Sequence, residues 1–211
     1  MQFTIEKDVF LKGLSRIQGI VERKNTIPIL ANVLIESDDN GVYLTATDLE
    51  VGMKAFYPAL TKNKGKITVS AKKLYEIIKE LPEKEILFTT KENCWIEIRC
   101  DKSLFNIVGL SSEEFPYFPY PQQENFIKIK SNLLREMIDK TYFSISNDET
   151  KYNLNGIYFK FSSPDMLSLI ATDGHRLSMI TRKIAFIDES YQDKGVIFPK
   201  KLQNLCSSCV V

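Results

Sequence analysis

The sequence repeats itself, and an internal repeat requires a fold built from copies of one unit. Residues 44–55, LTATDLEVGMKA, resemble residues 169–180, LIATDGHRLSMI. The shared Ala-Thr-Asp begins at Ala46 and at Ala171, an offset of 171 − 46 = 125. Upstream, ILANVLIES (29–37) parallels NLNGIYFKF (153–161), and matching Asn32 to Asn155 gives 155 − 32 = 123. Downstream, KITVSAKKL (66–74) parallels GVIFPKKL (195–202), and matching Lys73 to Lys201 gives 201 − 73 = 128. Each match is weak alone; three in one order at nearly one spacing carry the inference.

The unit has a pattern of strand, helix, strands, helix, strands. QFTIE alternates as a strand does. Asp8 is the expected cap of a helix reaching about Gly19, with Phe10, Leu14, Ile17 and Val21 on one face. Lys12 and Arg16 fall on another face. Strands are expected at 33–36, 42–46 and 52–57, the first two split by the turn DDNG. A strand at 66–69 leads into a helix at 71–81, with Leu74, Ile77, Ile78 and Leu81 inward and Pro82 beyond its end. Strands at 85–89, 95–99 and 104–109 close the first unit. The stretch SSEEFPYFPYPQQEN, with three prolines, is the expected linker. Copy two begins with FIKIK as a strand, Ser131 as cap and a helix over 132–143. This divides the chain into one domain over residues 1–120 and another over 126–211.

Hydrophobic residues make up 44% and charged residues 26%, as in ordinary globular domains. No apolar run approaches the roughly 18 residues that span a bilayer, and the N-terminus lacks a signal peptide, so a cytoplasmic, membrane-free protein is expected. With 28 basic and 27 acidic residues the net charge is +1, which excludes DNA binding by bulk charge and leaves only a local basic face. Cys94, Cys100, Cys206 and Cys209 are expected as free thiols.

The single histidine, His175, stands in ATDGHRL. A zinc site needs three or four ligands, and no nucleophile motif accompanies the histidine, so neither metal nor catalytic residue is assigned and no cofactor is expected. The paired Asp48 and Asp173, with Glu50, leave open a metal-dependent nucleic-acid-processing enzyme. The plainer reading is that each aspartate organises the turn after a strand. CSSC has redox spacing without a βαβ unit. Met53, Met137, Met166 and Met179 are expected in the core, and Trp95 as structural.

TIPILANVLI, LTATDLEV, YNLNGIYF, ATDGHRL and VIFPKK, in that order, resemble the bacterial DNA sliding clamps, the β subunits of DNA polymerase III. The resemblance runs from Met1 to about Leu202. It implies an α+β DNA-clamp fold, repeated modules of antiparallel sheets outside with two helices each inside. It also implies a non-catalytic processivity factor: three modules per subunit, two subunits closing head to tail around duplex DNA. The implied partners are DNA, the polymerase III catalytic subunit, the clamp loader, other proteins with clamp-binding motifs and a second copy of the subunit. By the same resemblance Tyr152, Leu154, Thr172, Gly174, His175, Arg176 and Leu177 line a groove for short peptides. Lys12, Arg16, Lys24, Arg135, Asn153, Lys200 and Lys201 face DNA, and Lys73, Phe105, Asn106 and Ile107 form the dimer edge.

Copy two lacks counterparts of the last three strands, and a third module is absent. LQNLCSSCVV, with Ser-Ser and Val-Val, is a poor start for the helix due there. The expectation is a truncated gene, a frameshift near Leu202 or a partial record. A stand-alone peptide-binding remnant without ring closure is the alternative.

Overall fold

Strand β1 (Gln2–Glu6) runs without a break into helix α1 (Lys7–Ile17). The cap position therefore falls on Glu6, which makes no side-chain cap bond, and Asp8 lies inside the first turn rather than capping it. Gln18 closes the helix just short of the expected end at Gly19. The computed structural model describes residues 1–21, 27–117, 127–148, 150–162, 165–184 and 195–200. The chain separates into two compact units, Met1–Pro119 and Tyr120–Val211.

After α1, unit one continues through β2 (Asn32–Ser37), β3 (Gly41–Thr47), β4 (Gly52–Pro58), β5 (Leu60–Asn63) and β6 (Gly65–Ser70). Helix α2 (Ala71–Glu80) and strands β7 (Glu85–Thr90), β8 (Trp95–Cys100) and β9 (Ser103–Val108) follow. Two antiparallel sheets result, in the orders β5-β1-β7-β8-β9 and β4-β3-β2-β6. The short, mostly exposed β5 was not legible in the sequence, because LTKN has no alternation to bury. The DDNG turn forms as expected, with the Asp38 carboxylate accepting the N–H groups of Asn40 and Gly41 at 2.8 and 3.0 Å. Ser70 caps α2 by accepting the Lys73 N–H. Leu74, Ile78 and Leu81 are buried as expected, whereas Ile77 is only half-buried.

Both sheets bury one face under the two helices. Phe3 and Phe88 stack with centroids 4.8 Å apart, and Phe10 of α1 meets both edge-on at 6.1 and 6.4 Å. Such pairings add about 0.5–1.5 kcal/mol each beyond area burial. Trp95, expected to be structural, is 46% exposed at the start of β8. Among the methionines only Met137 is fully buried; Met179 is 64% exposed.

Unit two holds α3 (Ser131–Asp139), β10 (Gly156–Ser162), β11 (Met166–Thr172), β12 (Leu177–Lys183) and β13 (Gly195–Pro199). The cap of α3 is Lys130, with Ser131 already helical, and the helix stops at Asp139. Residues Tyr142–Ser144 form a separate 3-10 turn, so Phe143 is not on the helix. Of FIKIK, Phe126 lies outside the described residues and 127–130 form no strand. The reason is pairing: β1 is held between β5 and β7 in unit one, and no described residue supplies a β7 in unit two.

The repeat is visible in the ladders. The second sheet has the order β12-β11-β10-β13, matching β4-β3-β2-β6 strand for strand. Ile35 pairs with Leu44 as Phe159 pairs with Leu169, giving offsets of 159 − 35 = 124 and 169 − 44 = 125. Ile35 also pairs with Ile67 as Phe159 pairs with Val196, giving 196 − 67 = 129. The offsets of 123 and 128 drawn from matching residues are thus each one short. A one-residue slip would turn Ile157 and Phe159 out of the core.

Candidate functional site

Both Ala-Thr-Asp stretches end a strand and build the same turn. In unit one the Thr47 hydroxyl accepts the Leu49 N–H and donates to the Val51 carbonyl, each at 3.0 Å. The Asp48 carboxylate accepts the N–H groups of Glu50 and Val51 at 3.0 and 2.7 Å. In unit two the Thr172 hydroxyl accepts from Gly174 at 3.1 Å and donates to the Arg176 carbonyl at 2.7 Å. Asp173 accepts from His175 and Arg176 at 2.9 and 3.0 Å. The turn needs a positive φ after the aspartate. Leu49 supplies it at 77° and Gly174 at 93°, and only the glycine does so without a Cβ penalty.

The second turn carries the chemistry. The His175 N–H, then the Arg176 N–H and the Arg176 side chain, hold the Asp173 carboxyl down at about 2. Arg176 Nε donates to Asp173 Oδ2 at 3.0 Å, and its guanidinium lies 5.8 Å from the centroid of the Phe143 ring. His175, Arg176 and Leu177 are all exposed, Leu177 to 64%.

The segment after α3 ties this turn to the other expected groove residues. Ser144 and Ser178 share a hydroxyl–hydroxyl hydrogen bond of 2.6 Å. The Ser146 N–H donates to the Leu154 carbonyl at 3.1 Å. Tyr152–Leu154 is a 3-10 turn with Tyr152 82% exposed and Leu154 half-buried. All seven expected groove residues therefore sit on two segments that flank residues 142–146. Phe143 is 55% exposed and Met179, two residues beyond Leu177 on the same strand face, is 64% exposed; neither is among the expected groove residues. The alternation of Leu177 and Met179 was readable; Phe143 was hidden by its assignment to the helix.

The basic residues have different fates. Lys12 and Arg135 are exposed and Arg16 is half-buried, none in an ion pair among the described residues. Glu136, beside Arg135, binds Lys140 at 3.0 Å and Arg182 at 2.8 Å, which lowers its pKa. Asn153 is exposed. The Lys200 ammonium is held by the Asn147 side-chain oxygen and lies 5.7 Å from the Tyr142 ring centroid. Lys24 and Lys201 lie outside the described residues.

Among the described residues strand β9 is a sheet edge, paired only with β8. Phe105 and Asn106 are exposed on it, as is Lys73 on α2, while Ile107 is half-buried. Cys94 and Cys100 are free, and burial pushes the Cys100 thiol up, away from reactivity. Cys206 and Cys209 lie outside the described residues. No described helix is long and apolar enough to cross a membrane.

The family model for the DNA polymerase III β subunit, N-terminal domain, matches residues 1–119, and that for its central domain matches residues 128–207. The chain is 32% identical to the β sliding clamp of Halalkalibacterium halodurans, over 97% of this chain and 56% of that protein. To the β sliding clamp of Caulobacter vibrioides it is 35% identical, over 95% of this chain and 55% of the relative. The crystal structure of the DNA polymerase sliding clamp from Bacillus subtilis superimposes with a TM-score of 0.92 at 30% identity, covering 99% of this chain and 56% of that one. The chain thus spans about half the length of the relatives it matches.

Proposed function

The chain belongs to the DNA polymerase III β-subunit family, and from that membership we propose that it serves as a sliding clamp, a non-catalytic processivity factor of the cytoplasmic replication machinery. Full-length copies close into a ring that encircles duplex DNA, and a groove on the second unit captures short peptides of the polymerase, the clamp loader and other partners. The observation that carries this reading is the second Thr-Asp turn. It presents His175, Arg176 and Leu177 to solvent beside Leu154 and Tyr152, while its aspartate is spent on the turn itself.

Leu154 and Leu177 supply the apolar wall for a peptide anchor, Thr172 and Gly174 set the backbone path, and His175, Arg176 and Tyr152 form the rim. Lys12, Arg16, Lys24, Arg135, Asn153, Lys200 and Lys201 make weak, salt-sensitive contacts to DNA, as sliding demands. The β9 edge, with Phe105, Asn106 and Ile107, and Lys73 on α2, pairs with the second copy. A metal-dependent enzyme would need the Asp48 and Asp173 carboxylates, and each turn already engages its own.

Leu177 tests the groove. A fully buried leucine contributes about 1.5–3 kcal/mol, and the 64% still exposed leaves about 1–2 kcal/mol for a ligand to gain. Leu177→Ala should weaken a synthetic peptide with a Leu-Phe anchor about tenfold by calorimetry, and His175→Ala less. Unchanged affinity in Leu177→Ala would remove the groove from this site.

A further inference from the structure

Resting on the peptide-groove reading, we propose that Phe143 is a positioning residue that aims the Arg176 guanidinium at an acidic side chain next to the apolar anchor of the bound peptide.

Arg176 is restrained at its backbone and along its side chain. Its carbonyl accepts the Thr172 hydroxyl at 2.7 Å, its N–H and its Nε each donate to Asp173 at 3.0 Å, and its guanidinium carbon lies 5.8 Å from the Phe143 ring centroid. With Nε occupied, the two terminal nitrogens have no partner among the described residues. They form the fork that binds a carboxylate in two parallel hydrogen bonds. The next residue, Leu177, supplies the exposed apolar surface, so charge and anchor are adjacent.

Phe143 itself is 55% exposed, which leaves its ring open to the guanidinium of Arg176. The turn that carries it is held by Ser144, whose N–H donates to the Thr141 carbonyl at 3.1 Å and whose hydroxyl is tied to that of Ser178. A cation over the ring face is attracted by the ring quadrupole.

Unit one is the internal control. It builds the same Thr-Asp turn with the same hydrogen bonds. At the offset of 125, Arg176 falls on Val51, which is only 4% exposed. At the offset of 124, Phe143 falls on Gly19. The turn therefore folds without an arginine or an aromatic. The Arg176–Phe143 cation–π contact belongs to what unit two does, not to how the turn is made.

The test uses calorimetry on the whole chain with two short synthetic peptides that share a Leu-Phe anchor and differ only by Asp or Asn beside it. The wild type should bind the Asp peptide about threefold more tightly, the range of an exposed ion pair, with the ratio falling as salt rises. Phe143→Leu keeps apolar bulk but removes the ring face, and should bring the ratio to unity. Phe143→Tyr should restore it. Leu177→Ala should weaken both peptides in parallel and leave the ratio alone. The proposal is overturned if the wild type shows no preference, or if Phe143→Leu retains it while Leu177→Ala weakens both. If neither peptide binds, or Leu177→Ala changes neither affinity, the groove reading itself fails, and the role of Phe143 falls with it.

Discussion

Replacing Gly13 by alanine sets two well-known effects against each other. Gly13 sits in the middle of α1, and alanine in a helix interior is favoured over glycine by about 1 kcal/mol. A solvent-exposed glycine there would gain that amount. Gly13, however, is buried, and a Cβ at this position would lie 2.8 Å from Cζ of Tyr57 and 2.9 Å from Cδ1 of Leu44. These are side-chain atoms, so the site can yield, but Leu44 is fully buried and Tyr57 only 7% exposed. Overpacking of this kind costs roughly 1–3 kcal/mol. The net effect is a destabilisation of about 1 kcal/mol. Trp95 is the single tryptophan and lies in unit one, so its fluorescence during urea unfolding reports on that unit. The midpoint should fall by about 0.5 M for a slope near 2 kcal/mol per M. A midpoint that rises would show that helix propensity governs and that α1 does not press against β3 and β4 as described. The same helix carries Lys12 and Arg16, which the proposed function turns toward DNA.

The duplicated turn supports a reciprocal pair of substitutions. Gly174→Ala places a Cβ in open space at a φ of 93°, so its cost is the dihedral alone, about 1 kcal/mol in thermal unfolding, whereas Leu49→Gly relieves strain and should be neutral or stabilising. Equal destabilisation by both would contradict the positive φ at these positions. For Asp173 the folded pKa of about 2 lies below the ordinary 3.8, so its contribution is complete above the ordinary value and is lost as pH falls through about 2. The side-chain carboxyl carbon shift of Asp173 should titrate with a midpoint near 2; a midpoint near 4 would mean the two N–H bonds to the carboxylate are not formed.

The repeat made much of this architecture legible. Two copies of Ala-Thr-Asp at one spacing required two equivalent sheets, and alternation in Val33–Ile35 and in Ile157–Phe159 set which face each strand buries. The turn role of Asp48 and Asp173 was readable too, because an aspartate after a strand has backbone N–H groups within reach. Other features depend on partners remote in the chain. Residues 127–130 alternate like a strand yet form none, since a strand exists only where another supplies its hydrogen bonds. The helix expected to run to Phe143 stops at Asp139, and the separate turn that follows leaves that ring in solvent under Arg176. The repeated unit, the sheet faces and the residues of the ATDGHRL turn can be read along the chain, because they follow from local periodicity and short-range hydrogen bonding. The bonds of Ser144 to Ser178, Ser146 to Leu154 and Lys200 to Asn147 cannot be read that way, because they arise when separate segments pack and no periodicity records them.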